Sequence, residues 1–211
     1  MLIRIIAVKP RRILKSPRFE KFRQDFTERL RAKLSKDLTY HGFHHVMDVL
    51  EAASAIGRDE GLSDHEWTLL KTAILLHDSG FMEGYQEHEE RSCEIASQIL
   101  PNYGYTEKDI EIIHGMIRAT KIPQQPTNIL ENIIADADLE YLGTDRFDDI
   151  SETLFQEWQN KDIIHSREDW DKAQIAFISK HRYFTDFCKA HREQAKWDNL
   201  DRVKQRVEDM A

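Results

Sequence analysis

Apolar residues along most of this chain recur every three or four positions, which is the period of an α-helix rather than of a strand. Two capping boxes mark where helices begin, Ser63 with Glu66 and Thr106 with Asp109. Gly80 lies just past the end of the first of these helices. The pattern therefore predicts an all-α protein. The first eight residues are the exception, and they allow either a short edge strand or a disordered terminus.

The same pattern predicts helices over most of the remaining chain. Pro101 and Gly104 end one helix, and Gly143 ends another. The predicted segments are 86–100, a helix from Thr127 or Asn128 to Gly143, and amphipathic stretches over 145–160 and 166–207.

Histidine and aspartate interrupt the apolar faces of three of these helices. His41 and His45 are four residues apart in YHGFHHVMDV, so on a helix they share a face. His77 and Asp78 end the apolar run AILLHDSGF, and further acidic residues interrupt IIADADLEYLG. Buried imidazoles and carboxylates are costly unless they are paired, and a divalent cation would satisfy both kinds of group. The sequence therefore predicts a metal site between helices.

Two aspartates compete for the last position in this site. Asp136 and Asp138 are two residues apart, so they point about 200° apart on a helix and only one can face the ion. We favour Asp138.

The order His45, His77-Asp78, Asp138 resembles the HD superfamily of metal-dependent phosphohydrolases over about residues 38–160. The resemblance implies an HD-domain helical bundle with its metal site between helices. The first motif is similar to that of cyclic-nucleotide phosphodiesterases, which implies that His41 is the proton donor. The implied metal ligands are His45, His77, Asp78 and Asp138. The tail HRYFTDFCKAHREQAKWDNL is similar to the closing helices of a bacterial branch of the family.

The resemblance leaves the number of ions open at one or two. His88 resembles an extra ligand of two-metal members, and its alternative is an exposed histidine at a helix start. His114 stands in the following helix, but many relatives carry the extra histidine where this chain has Thr120. The mixed nitrogen and oxygen ligands suit Mn, Fe, Co, Zn, Ni or Mg.

The phosphate-binding residues are a point of departure from the family. Many HD proteins follow the dipeptide with glycine and a basic residue, whereas here Gly80 precedes Phe81. Arg118 and Lys121 are the predicted substrate-binding cations. Their alternative is an ordinary pair of cations at a helix end, where the helix dipole favours them.

The resemblance implies a metal-dependent phosphohydrolase, either a phosphomonoesterase or a phosphodiesterase. Its substrate would be a small phosphate ester such as a nucleotide, with His41 and Asp78 as the catalytic residues. Two alternatives remain open. One is a catalytically silent HD module that binds nucleotides or signals. The other is a di-iron oxygenase on the same fold, which would need His88 and His114 as ligands.

Composition and charge restrict the kinds of partner that this protein is expected to bind. No apolar run reaches the roughly 20 residues of a membrane span, so no membrane association is expected. With two cysteines and no signal-like start, a cytoplasmic protein is expected. Residues 1–36 carry twelve Lys/Arg against three Asp/Glu, which predicts a basic arm or helix before a domain over 37–211. The net charge of −8 makes a nucleic-acid partner unlikely. Homo-oligomerisation stays open.

Overall fold

The computed structural model describes residues 16–210, and within that range the chain forms ten α-helices and no strand. The all-α prediction is thus confirmed, while the predicted element over the first eight residues lies outside the described part. The helices are α1 Pro17–Lys33, α2 Phe43–Ile56, α3 Asp64–Leu76, α4 His88–Ile99, α5 Glu107–Ala119, α6 Ile129–Asp138, α7 Phe147–Asn160, α8 Arg167–Ile178, α9 Asp186–His191 and α10 Glu193–Met210.

The helix boundaries follow the capping signals of the sequence. Ser63 caps α3 and Thr106 caps α5, each with the reciprocal bonds of a capping box. Asn128 rather than Thr127 caps α6, because its side chain accepts a bond from Glu131 N at 3.1 Å. Helix α6 ends at Asp138 instead of reaching Gly143, and a short 3-10 turn over Glu140–Gly143 follows.

Helix α3 is the centre of the main core. It packs against α1, α2, α4, α5 and α6. Its last turn is apolar on every side, and Ala73, Ile74, Leu75 and Leu76 are all buried. A helix that is apolar all round has to be surrounded by protein. The residues that follow it, His77 and Asp78, are therefore delivered to the interior.

Helix α1 contributes an aromatic stripe to the same core. Phe19, Phe22, Phe26 and Leu30 recur at helical spacing and are buried, while the basic residues between them lie on the outer face. Phe22 is 0% exposed, stacks on Phe26 and meets Tyr103 edge to face. Residues 1–15 of the predicted arm lie outside the described range, and the boundary at residue 36 stays a prediction.

The last helices form a second layer with its own smaller core. Helix α10 packs against α8, α9 and the turn Glu140–Gly143. The apolar side chains that meet there are Leu139, Leu142, Phe147, Ile178, Leu200 and Val203. Segment 166–207 is thus divided into three helices. None of the described helices is both long enough and apolar enough to span a membrane.

We expect Phe22→Ala to lower the free energy of unfolding by about 3–5 kcal/mol, because it leaves a large cavity in a packed core. Urea denaturation followed by circular dichroism measures this loss. Met47→Ala is the control, because Met47 is 46% exposed and its loss should change stability by less than about 0.5 kcal/mol. An equally small effect of Phe22→Ala would show that α1 is a detachable arm.

Candidate metal centre

Three helix ends converge on one cluster of side chains. His45 lies in the first turn of α2, His77 follows α3, and Asp138 ends α6. The Nε2 atoms of His45 and His77 are 3.4 Å apart. Asp138 Oδ1 lies 3.0 Å from His45 Nε2 and 3.5 Å from His77 Nε2. One ligand atom from each residue therefore lies within 4.8 Å of the others, close enough for the three to bind one metal ion.

Asp78 adds a second carboxylate to this cluster. Its Oδ2 lies 3.2 Å from His77 Nε2 and 3.5 Å from His45 Nε2. This oxygen is buried and finds no hydrogen-bond partner among the described residues. An orphaned buried carboxylate oxygen is costly unless a cation lies against it.

The donor set fits a divalent ion. His77 Nδ1 donates to the carbonyl of Ile74 at 2.8 Å, which leaves the lone pair on Nε2. That lone pair faces His45 Nε2, and both nitrogens face two carboxylates. Two imidazole nitrogens and two carboxylate oxygens form a mixed shell that suits Mn, Fe, Co, Zn or Ni. The residues present could therefore hold the ion that the sequence predicted.

The ionisable side chains of the cluster shift one another's pKa values. Burial lowers the pKa of His77, but the charges and hydrogen bonds of Asp78 and Asp138 outweigh it and hold that pKa well above its usual value. Burial raises the pKa of Asp138, yet bonds from His45 and His77 lower it to about 2. Asp78 is likewise lowered below its usual pKa, because the charge of His77 outweighs burial. Both carboxylates are thus ionised at neutral pH, and a bound cation would compete with a proton on His77.

Asp136 serves a different purpose from Asp138. Its carboxylate accepts bonds from Phe184 N at 2.9 Å, Thr185 N at 2.8 Å and Thr185 Oγ1 at 2.6 Å. It points away from the cluster, as the two-residue spacing requires, and holds the start of α9. The structure therefore brings Asp138 to the cluster and leaves Asp136 outside it.

Comparison with known proteins identifies the fold family. The HD domain family model matches residues 42–140, the segment that carries all four clustered residues. Residues 42–140 of this chain form an HD domain. Its helical bundle is the architecture that the resemblance implied.

Two further proteins are similar to this chain. A predicted HD superfamily hydrolase from an uncultured Thermotogales bacterium has a solved structure that is similar with a TM-score of 0.60, covering 90% of this chain and 94% of that chain. Identity is 19%, so the likeness concerns the fold. An uncharacterized protein of Clostridium beijerinckii is 40% identical over 86 residues, which cover 38% of this chain. The chain spans about half of that relative, 54% of its length.

His41 stands beside the cluster in this HD-domain protein, held by a residue that the sequence reasoning missed. Glu157 of α7 is 0% exposed, and its Oε1 lies 2.5 Å from His41 Nδ1. Its Oε2 accepts the backbone N–H groups of Tyr40 and His41 at 2.9 and 3.0 Å. Burial lowers the pKa of His41, but the bond to Glu157 and nearby negative charges outweigh it and raise that pKa. The sequence did contain a signal that Glu157 is buried, because this residue continues the helical stripe of Phe147, Ile150 and Leu154.

Phe81 explains the missing basic residue after Gly80. Its ring centroid lies 4.1 Å from that of His88, on which it stacks, and 4.4 Å from that of His41, so it contacts both imidazoles. Gly80 itself is required by a close approach, because a Cβ there would come within 2.0 Å of the His88 carbonyl oxygen. The turn after Asp78 thus seats an aromatic ring where many relatives place a cation.

The two predicted extra metal ligands end up in different places. His88 Nε2 lies 3.5 Å from Asp78 Oδ1, at the edge of the cluster. His114 Nε2 instead donates to the Cys93 carbonyl at 2.9 Å and lies 3.2 Å from Ser97 Oγ, between α5 and α4. The structure therefore brings His88 to the centre and leaves His114 outside it, without the second imidazole that a di-iron site would need.

Each of the two predicted phosphate-binding cations forms an ion pair with a carboxylate of this chain. Arg118 makes a two-pronged ion pair with Glu90, at 2.8 and 2.7 Å, on the surface. Lys121 pairs with Glu87 at 3.0 Å and lies on the wall of the cavity that adjoins the cluster. Only Lys121 is thus placed where it could meet a substrate. Thr120 lines the same cavity at the position where many relatives carry a histidine.

We expect His77→Ala and Asp138→Asn to weaken divalent-metal binding by at least about 100-fold, because changes in outer-shell residues alone cost 10–100-fold. Equilibrium dialysis with elemental analysis measures it. His114→Ala is the matched control and should keep the metal content of the unmodified protein. Equal loss in His114→Ala would contradict this ligand assignment.

Removing the metal should also lower thermal stability. An ion present at 100 times its dissociation constant stabilises the native state by about 2.7 kcal/mol. For a domain of this size, that corresponds to a Tm about 5–10 °C higher than after chelation. Differential scanning calorimetry with and without chelator measures this shift. It should vanish in Asp138→Asn, and a shift that persists there would place the ion elsewhere.

Proposed function

We propose that this protein is a metal-dependent phosphohydrolase that cleaves a small phosphate ester. One observation carries the proposal: the His45–His77–Asp78–Asp138 cluster adjoins a cavity whose wall also includes His41. A phosphoryl group in that cavity would meet the cluster on one side and a proton donor on the other. The HD domain and the likeness to a protein named as a predicted HD superfamily hydrolase support the same reaction class.

The side chains of the cluster would hold the ion and orient the substrate. A bound divalent cation would supply activated water and neutralise charge on the phosphoryl oxygens. Asp78 has one oxygen for each of two tasks, because Oδ2 faces the two imidazoles while Oδ1 faces His88. The first oxygen can ligate, and the second can accept a proton from the attacking water.

His41 is the proposed proton donor to the leaving oxygen. Its Nδ1 is occupied by Glu157, so when the ring is protonated its other proton is carried by Nε2 and is free to be transferred. Glu157 is a buried carboxylate that both orients the ring and stabilises the imidazolium, which is how carboxylates act on catalytic histidines elsewhere. Tyr85 donates to the same Oε1 at 3.1 Å and fixes the carboxylate further.

The first experiment is hydrolysis of a panel of phosphomonoesters and phosphodiesters, including nucleotides, with each of Mn, Fe, Co, Ni, Zn and Mg. We expect turnover that depends on a divalent metal and is lost in His77→Ala and Asp78→Ala. Full activity after chelation would refute the proposal. Tight binding of a nucleotide without turnover in any metal would instead indicate a silent HD module.

We expect His41→Ala to lower kcat by about 10²–10⁴-fold, the usual contribution of general acid catalysis, while the metal content is unchanged. Glu157→Gln should act in the same direction, because the neutral amide no longer stabilises the imidazolium. In both variants, kcat should fall less for esters of acidic phenols than for esters of simple alcohols, since a good leaving group needs less protonation.

Glu152→Gln is the control for Glu157→Gln, because it makes the same chemical change on a more exposed part of α7. It should leave kcat within about twofold, as a surface substitution away from the site usually does. If Glu157→Gln lowers the rate equally for phenol and alcohol esters, His41 is not the acid.

A further inference from the structure

The cavity beside the metal centre extends well beyond the phosphoryl position. It has a volume of about 480 Å³, within the range of sites that take drug-sized ligands. One end is lined by Asp78, Asp138 and His41, and the other runs under α7 and α8. A phosphoryl group at the cluster would therefore project its organic group towards these two helices.

The far wall of this cavity is apolar. We call it the α7–α8 chamber, and its defining side chains are Leu154, Trp158, Trp170, Ala173, Phe177 and Ile178. Ile163 from the loop between the two helices continues the wall and is 44% exposed. Across the cavity, Ile122 is 51% exposed. Two of the five large apolar residues that are exposed within residues 16–210 thus lie on one cavity, as expected of an apolar ligand site.

Two polar side chains of this cavity already have protein partners, while the indole N–H of Trp170 has none among the described residues. Gln174 accepts from Ser151 Oγ at 2.7 Å, and its amide donates to Asp171 at 3.1 Å. Tyr85 donates to Glu157. A sugar ring placed there would lose hydrogen bonds to water without gaining equivalent ones from the wall.

The charge of the cavity disfavours a second phosphate. Lys121 is the one lysine or arginine on the wall within residues 16–210, and Glu87 already neutralises it. Glu87 and Glu89 add negative charge to the same wall. A diphosphate or triphosphate tail would meet carboxylates rather than cations beyond the metal centre.

We propose that the α7–α8 chamber binds the organic group of the substrate. This group is an uncharged, apolar alkyl or aryl substituent, and it is esterified to a single phosphoryl group. The inference rests on the proposed phosphohydrolase function and narrows its substrate class. Nucleoside triphosphates and sugar phosphates are thereby poor substrates, and an alkyl or aryl phosphate is a good one.

The test is a series of monoesters that share one phosphoryl group: ethyl, butyl, hexyl and 2-naphthyl phosphate, with glycerol phosphate and ATP as polar comparisons. Each methylene that enters the chamber should raise kcat/KM about three- to fourfold. Glycerol phosphate and ATP should fall below butyl phosphate. Equal kcat/KM from ethyl to hexyl phosphate, or a preference for ATP, would overturn the chamber while the hydrolase function stands.

Two aspartate substitutions on α8 provide matched variants. Ala173→Asp places a charge on the chamber wall, whereas Ala176→Asp places the same charge on the exposed side of the helix. Ala173→Asp should abolish the gain from ethyl to hexyl phosphate, and Ala176→Asp should retain it. Circular dichroism and thermal melting of both variants establish that they are folded.

A binding measurement separates this inference from the hydrolase proposal. We expect 2-naphthol, which has no phosphate, to quench tryptophan fluorescence of the metal-free protein, because Trp158 and Trp170 line the chamber. Binding should weaken at least about tenfold in Ala173→Asp and remain unchanged in Ala176→Asp. If 2-naphthol binds in this way and no ester is hydrolysed, the chamber is supported and the phosphohydrolase function is wrong. If it fails to bind the unmodified protein, the chamber is wrong.

Discussion

Two ionised carboxylates buried within reach of two imidazoles are the constraint on which the rest of this structure depends. Asp78 and Asp138 come from different helices and both face the nitrogens of His45 and His77. Burial of like charges is unfavourable unless a positive charge lies between them, whether a proton or a metal ion. The fold meets this condition by making α3 a core helix on all sides, so that its last residues meet α2 and α6 in the interior.

The two aspartates at the end of α6 have different roles, because their side chains point in different directions. Asp138 faces the cluster, while Asp136, two residues earlier, bonds the start of α9. The same helix end therefore fixes the metal centre and anchors the C-terminal layer to it. Because that layer includes α8 and α10, the anchor also sets where the apolar chamber lies relative to the ligands.

Local signals in the sequence predicted what depends on local structure. The helical period, the capping boxes at Ser63 and Thr106, and the opposite directions of Asp136 and Asp138 all follow from neighbours within a few residues. Contacts between distant segments could not be predicted in this way. Glu157 meets His41 across 116 positions of the chain, so the stripe that indicates its burial does not name its partner.

The predicted phosphate-binding cations also show that contacts between distant segments cannot be predicted from local sequence. Arg118 has the right charge and follows the right helix, but its side chain pairs with Glu90 of α4. A helix-end cation is satisfied by whichever carboxylate the packing of neighbouring helices brings near, and that packing is a tertiary property. Phe81 could be noticed as a departure from the family, yet its contacts with both His41 and His88 require three separate segments to be in place.

Helix α7 would connect the proposed proton donor with the organic part of the substrate. Glu157, which orients His41, lies between Leu154 and Trp158, which line the chamber. An apolar group that fills the chamber would pack directly against the turn that carries this carboxylate. Binding energy from the organic group would then hold α7, and with it His41, at the distance the leaving oxygen requires. A small ester that leaves the chamber empty would bind the same metal centre without that support, so specificity would be expressed in turnover as well as in affinity.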